Sequence, residues 1–443
     1  MASYKNREPF IPYRRTDIIE LCIEDGQLSA DDVPKFRQFC HILSAYYHFK
    51  LHNALETLKD NFAPFDPDAD TRPRVSPTSS QLHDMQSNLL QTFEQVLQRA
   101  NYQPLNQADL QQAFEEESLI PLNTKVDFDD FDKAIIYYRG QQETTTTIKQ
   151  FFVKKTELTF DMYERVVMFL KFKDAAHFEA KNEKLDQLPF VPGKIYIFLY
   201  KNIPKFDLEL LFPNIEVSMT LKDRILFGVP AVGAAVPIAL RALPSFGLIF
   251  GIILLLVWGP SFMTESLDAT DDKVRNFYPV LTGLLMALVA LGGFAFKQYT
   301  NYKNKRIKFQ KEVTDTLFFR NLENNGGVFH GIINAAEEEE TKEMILAYYH
   351  LLTSPQPLRN DQLDDQIEQW FADKFEVKLD FDVRKALENL SELEGEYLDP
   401  QTQSSRRDCL ATTDEAGAYT VLPLPQAKTV IDHVWDNLFN YNL

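Results

Sequence analysis

The chain has 443 residues, of which 45% are hydrophobic, enough for a large buried core and for more than one domain. Its formal net charge of −18 argues against nucleic-acid binding, because that affinity comes mainly from Lys and Arg side chains that neutralise phosphates. The three cysteines form no CxxC pair, so structural disulfides and a cysteine-based zinc site are not expected.

The first predicted region, 1–221, is an α+β domain that is helical to about residue 120 and forms a sheet over 133–221. Within it, residues 31–62 predict a long amphipathic helix with Pro34 in the first turn. Later segments such as KAIIYYRG and KIYIFLYK are rich in β-branched and aromatic residues, which is typical of short strands in an antiparallel sheet.

Two features of this region are weak candidates for metal binding. His48 and His52 are one helical turn apart, a spacing that lets two imidazoles share a metal ion, although polar residues on a helix flank explain them more simply. The run VDFDDFD at 126–132 presents carboxylates that suit calcium but lacks the glycine and the terminal glutamate of an EF-hand loop. A solvated turn is the simpler interpretation, and we expect no bound metal or cofactor.

A two-helix transmembrane hairpin is predicted in the middle of the chain. Residues 277–296 are apolar over the ~20 residues that a span needs, and we place the other span at 242–260. The segment before it, 222–241, is predicted to be interfacial or re-entrant, and 261–276 is an acidic external loop. The basic juxtamembrane helix and turn at 297–327 predict, by the positive-inside rule, that both termini are cytoplasmic.

The hairpin prediction assigns roles to individual residues. The N-terminus has no secretory or transit signal, so we expect a two-span protein of a bacterial plasma or thylakoid membrane. Cations at 297–311 are expected to attract anionic lipid headgroups. The expected interface residues are Arg241, Trp258, Lys297, Tyr299, Tyr302, Lys303, Lys305 and Arg306. The small residues expected to mediate packing within the hairpin, or self-association, are Gly247, Gly251, Gly283 and Ala287.

The last predicted region, 328–443, is an acidic winged-helix-like module with three helices followed by a β-hairpin. Its EEEE run at 337–340 is expected in the first turn of a helix over 335–352, where carboxylates favour the positive end of the helix dipole and leave an acidic surface. Residues 331–443 carry 23 acids against nine bases, so we expect a basic protein partner and no nucleic acid.

Three stretches resemble one family: 8–22, 200–228 and 318–352 (FFRNLENNGGVFHGIINAAEEEETKEMILAYYHLL). They are similar to the uncharacterised family of transmembrane protein 143, known from mitochondria, plastids and cyanobacteria. The resemblance implies a membrane location and assigns no reaction. It includes a motif turn with Asn321, Asn324, Asn325, Gly326 and Gly327. NNGG predicts either a turn that ends the preceding helix or, less simply, a phosphate-binding nest.

No catalytic motif is present: HExxH, GxGxxG after a strand, GxxxxGK[ST] and GxSxG are all missing. The sequence therefore predicts a non-enzymatic scaffold, assembly or regulatory factor of a membrane. An oligomeric channel or transporter built from the hairpin is the first alternative, and a membrane-anchored enzyme is the second.

Overall fold

The computed structural model describes residues 10–106, 110, 123–150, 154–218, 317–399, 403–439 and scattered positions between 289 and 314. The chain divides into two compact units, and the features analysed below belong to the first unless stated otherwise. The first unit comprises Met1–Glu116, Asp127–Leu208 and Phe319–Leu443, and the second comprises Glu117–Val126 and Glu209–Phe318.

The described helices and strands occur mainly in separate runs along the chain, and the strands pair antiparallel, so the α+β class is confirmed. The helices are α1 (Arg15–Glu24), α2 (Val33–Phe62), α3 (Ser79–Arg99), α4 (Ala175–Ala180), α5 (Gly326–Thr353), α6 (Asn360–Phe375), α7 (Val383–Glu392) and α8 (Leu424–Asp436). The strands are β1 (Gln103–Pro104), β2 (Asn123–Lys125), β3 (Phe131–Gln150), β4 (Lys154–Phe172), β5 (Ile195–Pro204), β6 (Glu216–Ser218), β7 (Asn321–Asn324), β8 (Glu394–Leu398), β9 (Ser405–Cys409), β10 (Ala411–Thr413) and β11 (Tyr419–Val421).

The main sheet has five antiparallel strands in the order β1-β3-β4-β5-β7. Its centre is the long hairpin of β3 and β4, which pair from Phe131↔Phe172 to Gln150↔Lys154. β5 covers only the part of β4 from Met162 to Lys171, so the far end of the hairpin extends beyond the third strand. Small two-stranded sheets are formed by β8 and β9 and by β10 and β11, and, in the second unit, by β2 and β6.

Local signals account for the two long N-terminal helices. α2 begins with Pro34 in its first turn, as the sequence predicts, where the missing N–H of proline costs no helical hydrogen bond. α3 begins with a capping box in which Thr78 Oγ1 accepts from Gln81 N at 3.4 Å and Gln81 Oε1 accepts from Thr78 N at 2.9 Å.

Two hydrophobic cores share α2 and α5. The first core, here the C-terminal core, joins Phe36–Tyr47 of α2 to Met344–Leu351 of α5 and to α1, α6, α7 and α8. The second, here the sheet core, joins the later half of α2 to Val328–Ala336 of α5, to α3 and to one face of the sheet. α5 therefore passes through both cores, and its residues 337–343 lie between the two apolar segments.

The predicted two-span membrane protein is wrong. Among the residues that the structure describes, no helix is long and apolar enough to cross a membrane. The long helices α2 and α5 both carry charged side chains within their length, and their apolar side chains are buried in the two hydrophobic cores. This finding overturns the transmembrane hairpin of the fold prediction. It also overturns the predicted two-span location in a bacterial membrane. The segments 242–260 and 261–276, and most of 277–296, lie outside the described residues.

Candidate functional site: a buried acidic cluster

The EEEE run lies deep in the protein, between the two hydrophobic cores. α5 begins at Gly326, so the run lies about three turns into the helix. The expectation of an acidic surface at a helix start is therefore wrong. We name the four buried carboxylates of α5 the acidic cluster: Glu337, Glu339, Glu340 and Glu343. Buried charges are costly unless they are paired or hydrogen-bonded, so each member requires a partner.

Glu339 and Lys342 form the most completely bonded pair of the cluster. Their side chains are 3% and 4% exposed, and Lys342 Nζ lies 2.6 Å from Glu339 Oε1. The ammonium also donates to the carbonyl oxygens of Ile11 at 2.7 Å and of Tyr13 at 3.1 Å. The second oxygen of Glu339 accepts from Ile11 N at 3.1 Å. This pair therefore fixes the N-terminal segment against the middle of α5.

Glu337 connects α5 to α1 and α2. Its Oε1 accepts from Arg15 Nη1 at 3.0 Å, and its Oε2 lies 2.8 Å from His48 Nδ1. The neighbouring Glu338, which is partly exposed, accepts from Arg15 N at 3.2 Å and lies 3.7 Å from the same guanidinium. Arg15 is thus held by two consecutive carboxylates of the run.

Glu343 connects α5 to α3 and α7. Its Oε1 accepts from Asn101 Nδ2 at 2.8 Å, and Lys385 Nζ lies 3.3 Å from its Oε2. Lys385 Nζ donates its hydrogen bonds to Arg99 O, at 2.9 Å, and to Asn101 Oδ1, at 3.5 Å. Burial raises the pKa of Glu343 to about 7, and Lys385 and Asn101 only partly oppose this effect.

Glu340 is the least satisfied member of the cluster. Burial raises its pKa, while the positive charges of Arg99, Lys385 and Lys50 act in the opposite direction. Arg99 Nε lies 3.7 Å from Glu340 Oε1, and Glu340 Oε2 is buried without a hydrogen-bond partner among the described residues. Within the same set of residues, the hydroxyls of Tyr47 and Thr341 are also buried without one. A proton on Glu340 would remove a buried charge that its neighbours compensate incompletely.

The chemistry open to the cluster is proton binding inside a closed environment. Glu343 has a pKa of about 7, close to that of a general base, but its residue is 1% exposed. A substrate would not reach its carboxylate in this conformation. Metal binding is not indicated either, since the described residues contain no group of three or more His, Cys, Asp or Glu side chains arranged to hold an ion.

The two candidate histidines have partners of their own. His48 is joined to Glu337, while His52 Nε2 lies 4.0 Å from Glu56, one turn along the same helix. The pair therefore faces two different carboxylates. His48 contributes to the acidic cluster, a role that its spacing from His52 did not indicate.

The acidic turn at Asp127–Asp130 is neutralised by lysines. Lys181 Nζ lies 2.9 Å from Asp127 Oδ2 and 2.5 Å from Asp130 Oδ1, and Lys173 Nζ lies 2.8 Å from Asp129 Oδ1. A calcium ion would therefore have to compete with these ammonium groups for the carboxylate oxygens of the turn. The turn is an ion-paired junction between a short 3-10 helix and α4.

The NNGG motif marks the start of α5, so the prediction of a helix end is wrong. Asn325 has φ 47° and hydrogen-bonds β5 through both its backbone and its side chain: its N donates to Ile197 O at 2.7 Å, and its Oδ1 accepts from Ile197 N at 3.1 Å. Its Nδ2 donates to Asp68 at 2.6 Å. A Cβ on Gly327 would come within 2.7 Å of Glu323 Oε2, so the chain's own carboxylate lies over the first turn. The remaining motif residues, Asn321 and Asn324, are joined by a side-chain hydrogen bond of 2.6 Å.

Most of the residues assigned to the membrane hairpin lie outside the part of the chain that the structure describes. Lys297, Tyr299 and Lys303 are described, helical and exposed. The others lie outside the described residues: Gly247, Gly251, Gly283 and Ala287 for helix packing, and Arg241, Trp258, Tyr302, Lys305 and Arg306 for the interface.

The sequence does contain a signal for the buried cluster. The run is preceded by VFHGIINAA, and only residues 341–343 separate it from MILAYYHLL, so strongly apolar segments lie on both sides of it. Charges in the middle of such a helix are expected to be buried together with the apolar segments that flank them. An analysis of the hydropathy of a single face of α5 does not reveal that these charges are buried.

Comparison with known proteins identifies part of the chain. A family model described as a protein of unknown function (DUF3754) matches residues 163–327. The match covers less than half of the chain and carries no link to a membrane family. No solved structure matches. The acidic cluster lies beyond the C-terminal end of the matched segment.

Proposed function

We propose that the protein is a non-enzymatic scaffolding or regulatory protein in which the acidic cluster holds two hydrophobic cores in one arrangement. The main support is the ion-paired segment Glu337–Glu343, which contacts the N-terminal segment, α2, α3 and α7 from the middle of a single helix. A buried ion pair is weak evidence for stability, because apolar side chains of similar volume often serve as well. Its geometric demands, however, favour one specific packing, which suits a protein that presents a fixed surface.

The partner that suits this surface is a basic protein. Of the 23 acids and nine bases in residues 331–443, six acids and Lys342 are buried, which leaves 17 acids against eight bases. Such a field speeds the encounter with a basic partner and makes it salt-sensitive. The same field disfavours nucleic acid. We therefore retain the proposal of a protein partner and of no nucleic acid.

The other candidate functions have less support. A channel or transporter depends on the transmembrane hairpin and is not proposed. An enzyme would need an accessible reactive group, and the most strongly perturbed carboxyl of the cluster, Glu343, is 1% exposed. Membership of the family of transmembrane protein 143, which is more specific than the match to a protein of unknown function, remains a proposal. It implies no enzymatic reaction for this chain.

Affinity capture with the full chain tests the proposal. The test variant replaces the exposed acids Asp361, Asp365, Asp432 and Asp436 by asparagine. A matched control neutralises four exposed acids elsewhere, Glu24, Asp60, Asp70 and Asp84, by the corresponding amides. We expect the wild type and the control to retain the same basic proteins at low salt, and the test variant to lose them. Equal capture by the two variants, or no basic protein retained by the wild type, would contradict the proposal.

A further inference from the structure

Three cations lie side by side across the main sheet. Arg139 of β3 is directly opposite Arg165 of β4, and Arg165 is directly opposite Lys201 of β5. Directly opposite residues of an antiparallel pair share a face of the sheet, and like charges at such positions are destabilising. We name these three residues the cation row.

The cation row lies on the helix-covered face, at the edge of the sheet core. Two residues earlier on β3, Tyr137 pairs with Val167, which pairs with Leu199, and all three are buried in that core. Because side chains alternate between faces along a strand, the cation row is the next row on the same face. Its three members are half-buried, so their charges are partly removed from bulk water.

Within the described part of the chain, no carboxylate neutralises the row. The described residues include none that forms a salt bridge with Arg139, Arg165 or Lys201. The arginines donate to backbone carbonyls instead: Arg139 Nη1 to Ala100 O at 3.2 Å, and Arg165 Nη1 to Glu164 O at 2.8 Å. The side-chain ammonium of Lys201 makes no hydrogen bond to any described residue, although its backbone is part of the β4–β5 ladder.

Two nearby acids, Glu164 and Glu339, are bonded to groups outside the cation row. Glu164 is adjacent to Arg165 along β4, so its side chain lies on the opposite face, where it is hydrogen-bonded to Gln142. Glu339, which acts electrostatically on the same Tyr102 phenol as Arg139 and Arg165, is bonded to Lys342 and to Ile11 N. The row therefore carries three partly desolvated positive charges, and the nearby Glu339 carboxylate is already bonded to Lys342 and Ile11 N.

The first cation of the row is held in place by aromatic rings. The Arg139 guanidinium lies 5.1 Å from the Phe10 ring centroid and 5.0 Å from that of Tyr102. Stacking and cation–π attraction fix its plane and leave N–H groups available at its edge. A guanidinium that is oriented in advance loses less conformational entropy when it binds an oxyanion.

We propose that the cation row is a binding site for a ligand that carries two linked phosphate groups. Arginine forks match phosphate oxygens bidentately, and a lysine adds a compact charge. The row spans two strand spacings and is therefore ~10 Å long. Over that length, three flexible side chains can converge on a diphosphate more readily than on a single phosphate. The inference does not depend on the scaffolding function proposed above.

Calorimetric titration of the full chain with pyrophosphate, and separately with inorganic phosphate, tests this site at low ionic strength. We expect pyrophosphate to bind more tightly than phosphate. Arg165→Met and Lys201→Met should each weaken pyrophosphate binding by about tenfold or more, since a hydrogen bond to a charged group contributes that much. The control Lys133→Met removes an exposed cation from the same strand as Arg139 and should leave the affinity within about twofold.

Thermal unfolding gives a second measurement on the same proteins. In buffer without multivalent anions, Lys201→Met should melt at a higher temperature than the wild type, because like-charge repulsion is relieved. Pyrophosphate should stabilise the wild type and the Lys201→Arg variant, but not Lys201→Met. The site is disproved if pyrophosphate neither binds nor stabilises the wild type, or if Lys133→Met weakens binding as much as the row variants do. Failure of a row variant to fold without anion would also contradict it, because relief of repulsion predicts the reverse.

Discussion

The hydrophobic cores and the acidic cluster place opposite demands on α5. In the cores, Phe329 and Tyr348 are fully buried among other side chains, and their contribution does not depend on ionisation below pH 10. In the segment between them, the side chains make hydrogen bonds and ion pairs whose geometry must be met, with cations, with backbone groups and with the Asn101 amide. The cores therefore supply most of the stability, whereas the acidic cluster determines how they are arranged and makes that arrangement sensitive to charge.

The largest effect is expected for truncation in the sheet core. Phe329 is fully buried and makes edge-to-face contacts with Phe62 at 5.2 Å and Phe93 at 6.2 Å. Phe329→Ala should lower the free energy of unfolding by about 4 kcal/mol in urea titration, from lost burial and the cavity left behind. The control Phe318→Ala, at a residue 74% exposed, should cost less than about 0.5 kcal/mol. Similar costs at the two positions would remove the distinction between core and surface.

A smaller loss is expected when the acidic cluster is broken on one side. Lys342→Met leaves the buried carboxylate of Glu339 without its cation and should cost about 3 kcal/mol. Adding Glu339→Leu removes the stranded charge, so the double variant should be more stable than Lys342→Met by over about 1 kcal/mol. Urea unfolding of the full set measures this coupling. Additive losses would show that the two side chains do not act as a pair.

The acidic cluster should also make stability fall on the alkaline side of pH 4.5, where the apolar side chains of the cores do not ionise. The folded-state pKa of Glu343, about 7, lies above its ordinary value of 4.5, so the folded state binds this proton more tightly. Stability is therefore lost as pH rises from about 4.5 through 7, by at most roughly 3 kcal/mol for this group. Glu343→Gln should unfold much like the wild type at pH 5 and be the more stable protein at pH 8. Parallel pH profiles for the two proteins would refute the assignment.

His350, in the C-terminal core, should show a weaker dependence of the opposite sign. Burial lowers its pKa from 6.5 to about 4, and its Nδ1 lies 3.2 Å from Gln366 Nε2. Its contribution is complete above pH 6.5 and is lost as pH falls, by about 2 kcal/mol at pH 5. His350→Phe should lack this acid-side loss when its urea midpoint is compared with that of the wild type at pH 7 and pH 5. An unchanged acid-side slope would mean that the imidazole is solvated.

Local patterns in the sequence predict parts of this fold well. The long amphipathic helix with Pro34 in its first turn, the strand-rich region after residue 133 and the α+β class all follow from periodicity and residue preference, which act over a few residues. These features do not require knowledge of what each element packs against.

The errors arise where tertiary contacts decide. The NNGG pattern favours the end of a preceding helix, because Asn and Gly favour left-handed backbone, whereas Asn325 uses that conformation to join β5 and begin α5. The EEEE pattern favours an exposed helix start, but several partners of the buried carboxylates, such as Asn101 and Ile11, lie about 240 to 330 positions away. The cation row likewise depends on strand register, which no single strand specifies.

Hydrogen exchange along α5 is the decisive measurement, because residues 337–343 should respond to pH between 6 and 8, whereas the hydrophobic segments on either side should not. With intrinsic exchange rates corrected, raising the pH from 6 to 8 should reduce amide protection at 337–343 more than at 328–335 or 344–351. In Glu343→Gln this local difference should disappear. Uniform loss of protection along α5, or the same local loss in Glu343→Gln, would contradict the account.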